Sequence, residues 1–313
     1  MKTVLFFDRQ INERGTSVAT YDYAHFNEVL LGNKSIIASY KNAPLTSYEK
    51  FKNRFGEVHL VDNFKELENI KCDYVYDQKW GFNDGNLIST AKVLVQCAFK
   101  AYEPHGDVYA YVSKWLADDT KQTYNLKEDL LYVPYMVNLP KVDANFKEFF
   151  NTKDRLVIGW YGGNNFHMPV SQQAVTNAAK NRKDILFLFM NQEAFCNEEN
   201  VIFIDGTTDM EQKVAFINTC DAMIYARERG ETFGLSIAEF STMNKPVICH
   251  SWAPERFHIE TLGNKAILYH DYDSLYDILM NIQRSDIEGR EWNCYQEYTP
   301  EKTMEQFNKV YLQ

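Results

Sequence analysis

Two glutamates beside a short helix-forming segment are the residues whose types and spacing best support chemistry. Glu231 and Glu239 lie eight positions apart, and the turn Thr232-Phe233-Gly234 between them opens onto an apolar helical run. Main-chain amides at the start of a helix have no partner within it and attract anions. One carboxylate before the helix and one in its second turn could accept hydrogen bonds from hydroxyl groups. The pattern therefore predicts a nucleotide-sugar site.

The flanking residues favour a strand, a tight loop, a helix and a second strand. A short apolar run at 222–226 precedes the loop, and another at 246–249 follows the helical run. This order is typical of α/β proteins. An alternative stays open, because the helix dipole alone favours carboxylates near a helix N-terminus. Two such glutamates could simply be surface residues.

The full motif resembles a known family. It comprises Gly230-Glu231, Phe233-Gly234-Leu235, Ala238-Glu239 and Lys245-Pro246-Val247-Ile248. This string resembles the donor-binding Glu-x7-Glu motif of retaining glycosyltransferases of the GT-B fold, the group 1 type, and the likeness is specific over roughly 155–250. It implies an α/β chain of two Rossmann-like domains, with parallel sheets facing an interdomain cleft.

The resemblance also implies a reaction and a set of site residues. The reaction moves a sugar from a UDP- or GDP-linked donor to the hydroxyl of a glycan or another acceptor, with retention of anomeric configuration and without metal or cofactor. Glu231 would be catalytic and Glu239 would bind the ribose. The other donor-binding candidates are Gly162, Gly163, Asn164, Arg227, Thr232, Phe233, Gly234, Leu235 and Ser236, with Met190, Asn191 and Gly206 near the base. The alternatives are a nucleotide-sugar epimerase or phosphorylase on the same fold, and a non-catalytic nucleotide-sugar-binding protein.

A glycine-rich loop at 159–166 follows an apolar strand. Glycines let the main chain approach a phosphate closely, although a plain turn would also explain them. Similar proteins carry an arginine and a lysine nearby, whereas no basic residue occurs here between Gly163 and Lys180. Arg227 or Arg229 could supply the missing charge, or either could be a surface residue.

The first half of the chain offers weaker candidates. Gly15 and Thr16 follow the first strand and are candidates for the acceptor and phosphate side, together with Lys79. Thr16 or Ser17 could instead cap the following helix. Gln96 lies where similar enzymes often have a histidine.

One acidic motif could suggest a metal. Asp271-Tyr272-Asp273 matches the DxD of metal-dependent, single-domain glycosyltransferases. It directly precedes a helical run, so an N-terminal cap is the better interpretation. We therefore expect no metal site there.

Apolar runs alternate with helical patterns along the whole chain, which predicts parallel sheets covered on both faces. We expect an acceptor domain over 1–139 and a donor domain over 140–313, whose last helix could pack back on the first. Residues 131–140 contain two prolines. They are interpreted as a strand followed by the linker.

Composition narrows the function classes. The 313 residues suggest two domains. A net charge of −10 argues against a nucleic-acid partner. The six cysteines form no CxxC pair, which favours free thiols in a reducing compartment, the cytoplasm of a cell or host cell. No stretch is long and apolar enough to predict a signal peptide or a transmembrane segment.

Overall fold

The computed structural model describes residues 1–12 and 14–313. They form two compact units, of which the first comprises 1–138 and 297–313 and the second comprises 139–296. The division lies one residue from the predicted boundary at 139/140. Residues 297–313, which contain the last helix, belong to the first unit. The predicted second domain included this helix, which was allowed to pack back on the first domain.

The first unit is built on a six-stranded parallel sheet with the order β3-β2-β1-β4-β5-β6. Its strands consist mostly of buried residues because helices cover both faces of such a sheet. The strands are β1 (Thr3–Asp8), β2 (Lys34–Tyr40), β3 (Val58–Val61), β4 (Tyr74–Lys79), β5 (Lys92–Cys97) and β6 (Val108–Tyr111). The helices are α1 (Gly15–Val29), α2 (Leu45–Arg54) and α3 (Lys114–Thr123), with a 3-10 helix at Phe64–Asn69.

Aromatic packing explains why the end of the chain belongs to this unit. The terminal helix Pro300–Phe307 is followed by a π-helical turn, Asn308–Leu312. The ring centroid of Phe307 lies 5.2 Å from that of Tyr23 and 6.1 Å from that of Phe6. Burial of large aromatic side chains is a strong source of stability.

The second unit contains an equivalent six-stranded parallel sheet with the order β14-β12-β10-β7-β8-β9. Its strands are β7 (Leu156–Tyr161), β8 (Ile185–Met190), β9 (Val201–Ile204), β10 (Ala222–Tyr225), β12 (Val247–His250) and β14 (Ile267–Tyr269). A separate two-stranded parallel ladder joins β11 (Gly230–Glu231) to β13 (Glu255–Arg256). The helices are α4 (Pro169–Asn181), α5 (Met210–Thr219), α6 (Leu235–Thr242), α7 (Phe257–Leu262), α8 (Tyr272–Asn281) and α9 (Arg284–Ile287).

Each sheet has a topological switch point, where the strand order reverses. It lies between β1 and β4 in the first unit and between β7 and β10 in the second. Open α/β sheets bind ligands in the crevice outside the carboxyl ends of the strands at this point. In the second unit, the loops after β7 and β10 carry Gly162 and Glu231.

One local prediction is wrong. The strand predicted within 131–140 is reduced to an isolated bridge between Tyr111 and Tyr132, and Pro134 and Pro140 cannot donate ladder hydrogen bonds. The alternative that Thr16 or Ser17 caps α1 does not hold, because both residues lie inside the helix and Arg14 is the N-cap residue.

The capping interpretation of the DxD sequence is confirmed. Asp271 is the N-cap residue of α8, and its side chain accepts a hydrogen bond from the Ser274 amide at 2.9 Å. The Ser274 hydroxyl group in turn accepts a hydrogen bond from the Asp271 amide at 3.0 Å. This reciprocal pair is a capping box.

Among the described residues, no helix is long and apolar enough to cross a membrane.

Gln96 is a structural residue of the first sheet. It is completely buried on β5, and its side-chain oxygen accepts a hydrogen bond from the Tyr76 hydroxyl. Its side-chain nitrogen donates to the Val133 carbonyl at 2.6 Å and to the Tyr23 hydroxyl at 3.1 Å. The amide therefore ties the strand to the irregular segment that follows residue 131.

We predict that Gln96→Leu destabilises the first unit, because it removes the acceptor of the Tyr76 hydroxyl and the nearer donor to the Val133 carbonyl. An unsatisfied buried polar group costs about 1–3 kcal/mol. Gln78 pairs in register with Gln96, and its amide atoms are buried without a hydrogen-bond partner among the described residues. Gln78→Leu is therefore the matched control. Urea unfolding should show a larger loss for Gln96→Leu, and equal losses would contradict the structural role.

Candidate functional site

Close main-chain packing fixes the position of Glu231. The preceding residue, Gly230, has φ +78°, and a Cβ atom there would lie 2.0 Å from the Glu255 carbonyl oxygen. Only glycine allows this approach. The approach lets Gly230 pair with Glu255 and Glu231 with Arg256 in the short parallel ladder.

The Glu231 carboxylate is held by two side chains from the preceding segment. The Tyr225 hydroxyl donates a hydrogen bond to Oε1 at 2.7 Å, and Nη1 of Arg227 lies 3.1 Å from Oε2. The Glu231 side chain retains 18% of its exposure. The carboxylate is thus oriented before any ligand binds and is still accessible to one.

The two arginines of this loop have different partners. Arg227 pairs with Glu231, whose negative charge is the largest cause of a raised Arg227 pKa. Arg229 instead pairs with Glu255, with Nε and Oε1 2.6 Å apart. Burial raises the pKa of Glu255, and the hydrogen bond from Arg229 opposes that rise. Arg227 is therefore the arginine nearer to the candidate catalytic carboxylate.

A buried histidine packs against Tyr225, whose hydroxyl donates to Glu231. His258 is completely buried at the start of α7, and its ring centroid lies 5.1 Å from that of Tyr225. Burial lowers the pKa of His258 to about 3, and the positive charge of Arg256 adds to this effect. His258 is therefore neutral near pH 7.

The start of α6 is shaped to present main-chain amides. Gly234 is its N-cap residue in the left-handed conformation, with φ +81°, and no side chain caps the helix. Thr232, Phe233 and Leu235 have buried side chains. The Phe233 ring stacks on that of Phe257 at 5.1 Å, which anchors the turn. Any ligand contact by Phe233 or Leu235 would therefore use the main chain.

Glu239 makes a buried ion pair that the sequence did not indicate. Its Oε1 lies 3.2 Å from Nζ of Lys213 on α5, and only 4% and 10% of the two side chains are exposed. The Lys213 ammonium also lies 5.4 Å from the ring centroid of Tyr161, a cation–π geometry. Tyr161 directly precedes Gly162, so the pair lies near the glycine-rich loop.

Two of the predicted base-side residues, Asn191 and Gly206, lie close together, and Asn191 also contacts the glycine-rich loop. The side-chain amide of Asn191 donates to the Gly162 carbonyl at 2.8 Å. A Cβ atom on Gly206 would lie 2.9 Å from Cγ of Asn191. Met190 is buried at the end of β8. Asn164 is exposed, and its side-chain oxygen accepts a hydrogen bond from the Glu193 amide at 3.3 Å.

The first-unit candidates differ in how exposed they are. Gly15 and Thr16 are exposed in the first turn of α1. In the second unit, the donor-binding candidate Ser236 is half-buried at the start of α6. Lys79 is buried, and its ammonium lies 2.7 Å from an oxygen of Asp84 and 3.5 Å from one of Asp77. These carboxylates already balance the charge of Lys79.

Sequence reasoning missed four residues of the second-unit site: Tyr225, Lys213, Glu255 and His258. Three of them come from other segments than the Glu231 loop and meet it only after folding, so their sequence positions carry no spacing signal. Tyr225 could have been found, because it ends the strand just before the loop.

Among the described residues, no group of histidine, cysteine, aspartate or glutamate side chains could hold a metal ion.

Solved structures share this architecture over nearly the whole chain. A structure of HepE from Anabaena in complex with UDP and glucose matches with a TM-score of 0.71 and 11% identity, over 99% of this chain and 99% of that one. WaaG, a glycosyltransferase involved in lipopolysaccharide biosynthesis, matches with a TM-score of 0.65 and 11% identity, over 98% and 99%. A putative UDP-N-acetylglucosamine 2-epimerase from Listeria monocytogenes matches with a TM-score of 0.61 and 12% identity, over 97% and 94%.

These likenesses establish the fold. The predicted GT-B fold of two Rossmann-like domains with parallel sheets is confirmed. No protein-family model matches the chain, and no curated protein matches it significantly.

We predict that His258 makes stability depend on pH. Its pKa is about 3 in the folded protein, against about 6.5 in an unfolded chain. The unfolded state therefore binds an extra proton below about pH 6.5, and stability falls as the pH drops from there towards 3. The slope is roughly 1.4 kcal/mol per pH unit.

Urea unfolding between pH 4.5 and 7.5 measures this slope. His258→Phe should flatten it, whereas the exposed His167 offers a control in His167→Asn. An unchanged slope in His258→Phe would show that this histidine is not the titrating group.

Proposed function

We propose that this protein is a retaining glycosyltransferase that uses a nucleotide-sugar donor without a metal ion. The observation that carries the proposal is the position of Glu231. Its preoriented carboxylate follows β10 at the switch point and directly precedes the uncapped start of α6. A carboxylate beside the main-chain amides at the start of a helix suits a ligand that combines sugar hydroxyls with a diphosphate.

In the proposed mechanism, the amides at Phe233, Gly234 and Leu235 hold the diphosphate. The bond between the anomeric carbon and the donor phosphate oxygen breaks as the acceptor oxygen attacks from the same face. The proton of the acceptor hydroxyl passes to the leaving phosphate oxygen. The protein contributes positioning and stabilisation of the departing negative charge.

The charged side chains have separate roles in this proposal. Glu231 binds sugar hydroxyls and stabilises the positive character of the anomeric carbon. Arg227, 3.1 Å from that carboxylate, balances the charge of the diphosphate. Glu239 accepts hydrogen bonds from the ribose, and Lys213, 3.2 Å away, supplies an opposite charge in the same buried position.

The proposed donor is UDP-linked. HepE of Anabaena and MnaA of S. aureus, which share this fold, were crystallised with UDP. The contacts among Gly162, Asn191 and Gly206 form a compact group outside β7 and β8 that suits the base. The acceptor is a glycan or another hydroxyl compound bound by the first unit.

A nucleotide-sugar epimerase is the second candidate, because the Listeria protein of similar fold is a putative UDP-N-acetylglucosamine 2-epimerase. An epimerase converts the donor without an acceptor. Incubation with UDP-N-acetylglucosamine alone, followed by chromatography of the sugar, separates the two candidates. Conversion to an epimer would favour the second.

Nucleotide binding is the first test. UDP or a UDP-sugar at 100 times its dissociation constant should stabilise the protein by about 2.7 kcal/mol. The shift in unfolding temperature should persist with excess chelator, because the proposed diphosphate contacts are amides and Arg227. A folded protein that no nucleotide or nucleotide-sugar stabilises would contradict the proposal.

The two glutamates should fail differently. Glu231→Gln should mainly lower kcat, because its charge matters most as positive character develops on the sugar. Glu239→Gln should mainly raise KM for the donor, because a ribose contact is similar in the ground and transition states. Each loss should be about 1.5–3 kcal/mol.

Steady-state kinetics with varied donor concentration measure both effects. Glu228→Gln is the matched control, since Glu228 is exposed in the same loop and has no proposed role. Wild-type kinetics in both site variants would contradict the proposed roles. The two glutamates would then only complement the positive end of the helix dipole.

A further inference from the structure

The Tyr225 hydroxyl is a polar group of the candidate site to which the proposed mechanism gives no role. It donates a hydrogen bond to Oε1 of Glu231 at 2.7 Å, the short distance typical of a hydroxyl bound to an ionised carboxylate. Tyr225 is the last residue of β10, and Glu231 follows it by six positions. The contact therefore crosses the loop that leads from the strand to the candidate catalytic carboxylate.

Packing of the tyrosine ring fixes the position of this hydroxyl. Tyr225 is completely buried, and the ring centroids of Trp160 and His258 lie 5.5 Å and 5.1 Å from its own. Its main chain is also held, because Tyr225 pairs in register with Cys249 on β12. A tyrosine has only two side-chain torsions, and close packing restricts both. The hydroxyl thus keeps its place whether or not a ligand is bound.

The same surroundings keep this hydroxyl protonated. Burial raises the pKa of Tyr225 well above its ordinary value, and the negative charge of Glu231 raises it further. Ionisation would remove the proton that the carboxylate accepts and would place two negative charges side by side. Tyr225 is therefore a donor to Glu231 throughout the pH range of an enzyme assay.

The other partner of the carboxylate is more accessible. Nη1 of Arg227 lies 3.1 Å from Oε2 of Glu231, and the arginine side chain is 22% exposed. In the proposed function, Arg227 also balances the charge of the diphosphate, so a bound donor would draw it partly away from the glutamate. The buried Tyr225 hydroxyl is out of reach of a ligand. Tyr225 is thus the partner that a bound donor leaves in place.

A glutamate depends on such a partner because its side chain has three rotatable bonds. Fixing the rotamer of a long side chain costs entropy. A carboxylate whose rotamer is already fixed avoids that cost when the transition state forms, and small displacements of a catalytic group lower the rate strongly. A supporting hydrogen bond to a catalytic side chain therefore acts mainly on turnover.

We propose that Tyr225 is a positioning residue that holds the Glu231 carboxylate against the donor sugar during turnover. The inference rests on the proposed function, in which Glu231 stabilises the positive character of the anomeric carbon. Tyr225 does not touch the substrate and acts through the glutamate. Its loss should therefore affect the transition state more than donor binding, to which the amides of α6, Arg227 and Glu239 would still contribute.

Release of UDP from UDP-sugars measures this role, with water in place of the acceptor hydroxyl. The probes are UDP-glucose, UDP-galactose and UDP-N-acetylglucosamine, and the variants are compared on the one that the wild type hydrolyses fastest. Tyr225→Phe keeps the ring and removes the hydroxyl. It should lower kcat about 10- to 100-fold, the range expected for a lost hydrogen bond to a charged group. KM for the donor should stay within about twofold.

Tyr269→Phe is the matched control. Tyr269 is also completely buried in the second unit, and its hydroxyl donates to the Tyr225 carbonyl at 3.0 Å. This variant loses a buried hydroxyl that contacts the same tyrosine, but it retains the hydrogen bond from Tyr225 to Glu231. It should show a comparable loss of stability in urea and keep kcat within about twofold of the wild type.

A double-mutant cycle separates positioning from a general loss of structure. In a chain that already carries Glu231→Gln, the carboxylate charge is gone, and its exact position matters less. Tyr225→Phe should then lower kcat by less than about threefold, because residues that act through one another are not additive. A merely structural role would give the same fold-loss in both backgrounds.

Three results would overturn the positioning role while the wild type still turns over a UDP-sugar. They are wild-type kcat in Tyr225→Phe, an equal loss of kcat in Tyr269→Phe, and an unchanged fold-loss in the Glu231→Gln background. UDP should stabilise all of these proteins equally. A wild type that UDP fails to stabilise, or that releases UDP from none of the three sugars, would instead reject the proposed function and this role with it.

Discussion

The close approach of two main-chain segments at Gly230 is the constraint on which the candidate site depends. With φ +78° and the Glu255 carbonyl where a Cβ atom would lie, this position accepts only glycine. The resulting ladder fixes Glu231 between Tyr225 and the start of α6. It also brings Glu255 beside Arg229, so Arg227 is left to pair with Glu231. One main-chain contact thus determines both the direction of the carboxylate and the distribution of charge around it.

The ion pairs of the second unit bear on the missing basic residues of the glycine-rich loop. Arg227 and Lys213 come from outside that loop, and each pairs with one glutamate of the motif. A buried carboxylate without a counter-charge would be costly, so these cations first stabilise the glutamates. A diphosphate at the start of α6 would then share Arg227 with Glu231. The positive end of the α6 dipole makes the local charge more favourable to an anion.

Much of the fold could be predicted because its signal is local. Strands buried on both faces are near-continuous apolar runs, so their alternation with helical patterns is sufficient to predict the parallel sheets that the structure contains. The segment 131–140 was misjudged because its apolar residues fill the core without joining a ladder. The ladder of β11 and β13 was missed because two residues on each side give no periodicity. The one sequence feature that belongs to this ladder and could draw notice is Gly230, the glycine at its first position.

The site was predictable only where the motif itself contains it. Glu231 and Gly234 are neighbours in sequence. Lys213, Glu255 and His258 instead come from other segments and meet Glu239, Arg229 and Tyr225 only in the folded unit. The same limit applies at Arg9 and Asp84, which are 75 residues apart and meet because β1 and β4 are adjacent at the switch point. Strand order, and not spacing along the chain, decides which polar side chains share a crevice. Once the strand order of such a fold is known, the polar side chains that meet at the switch point can be identified. These side chains are the first candidates for a functional site.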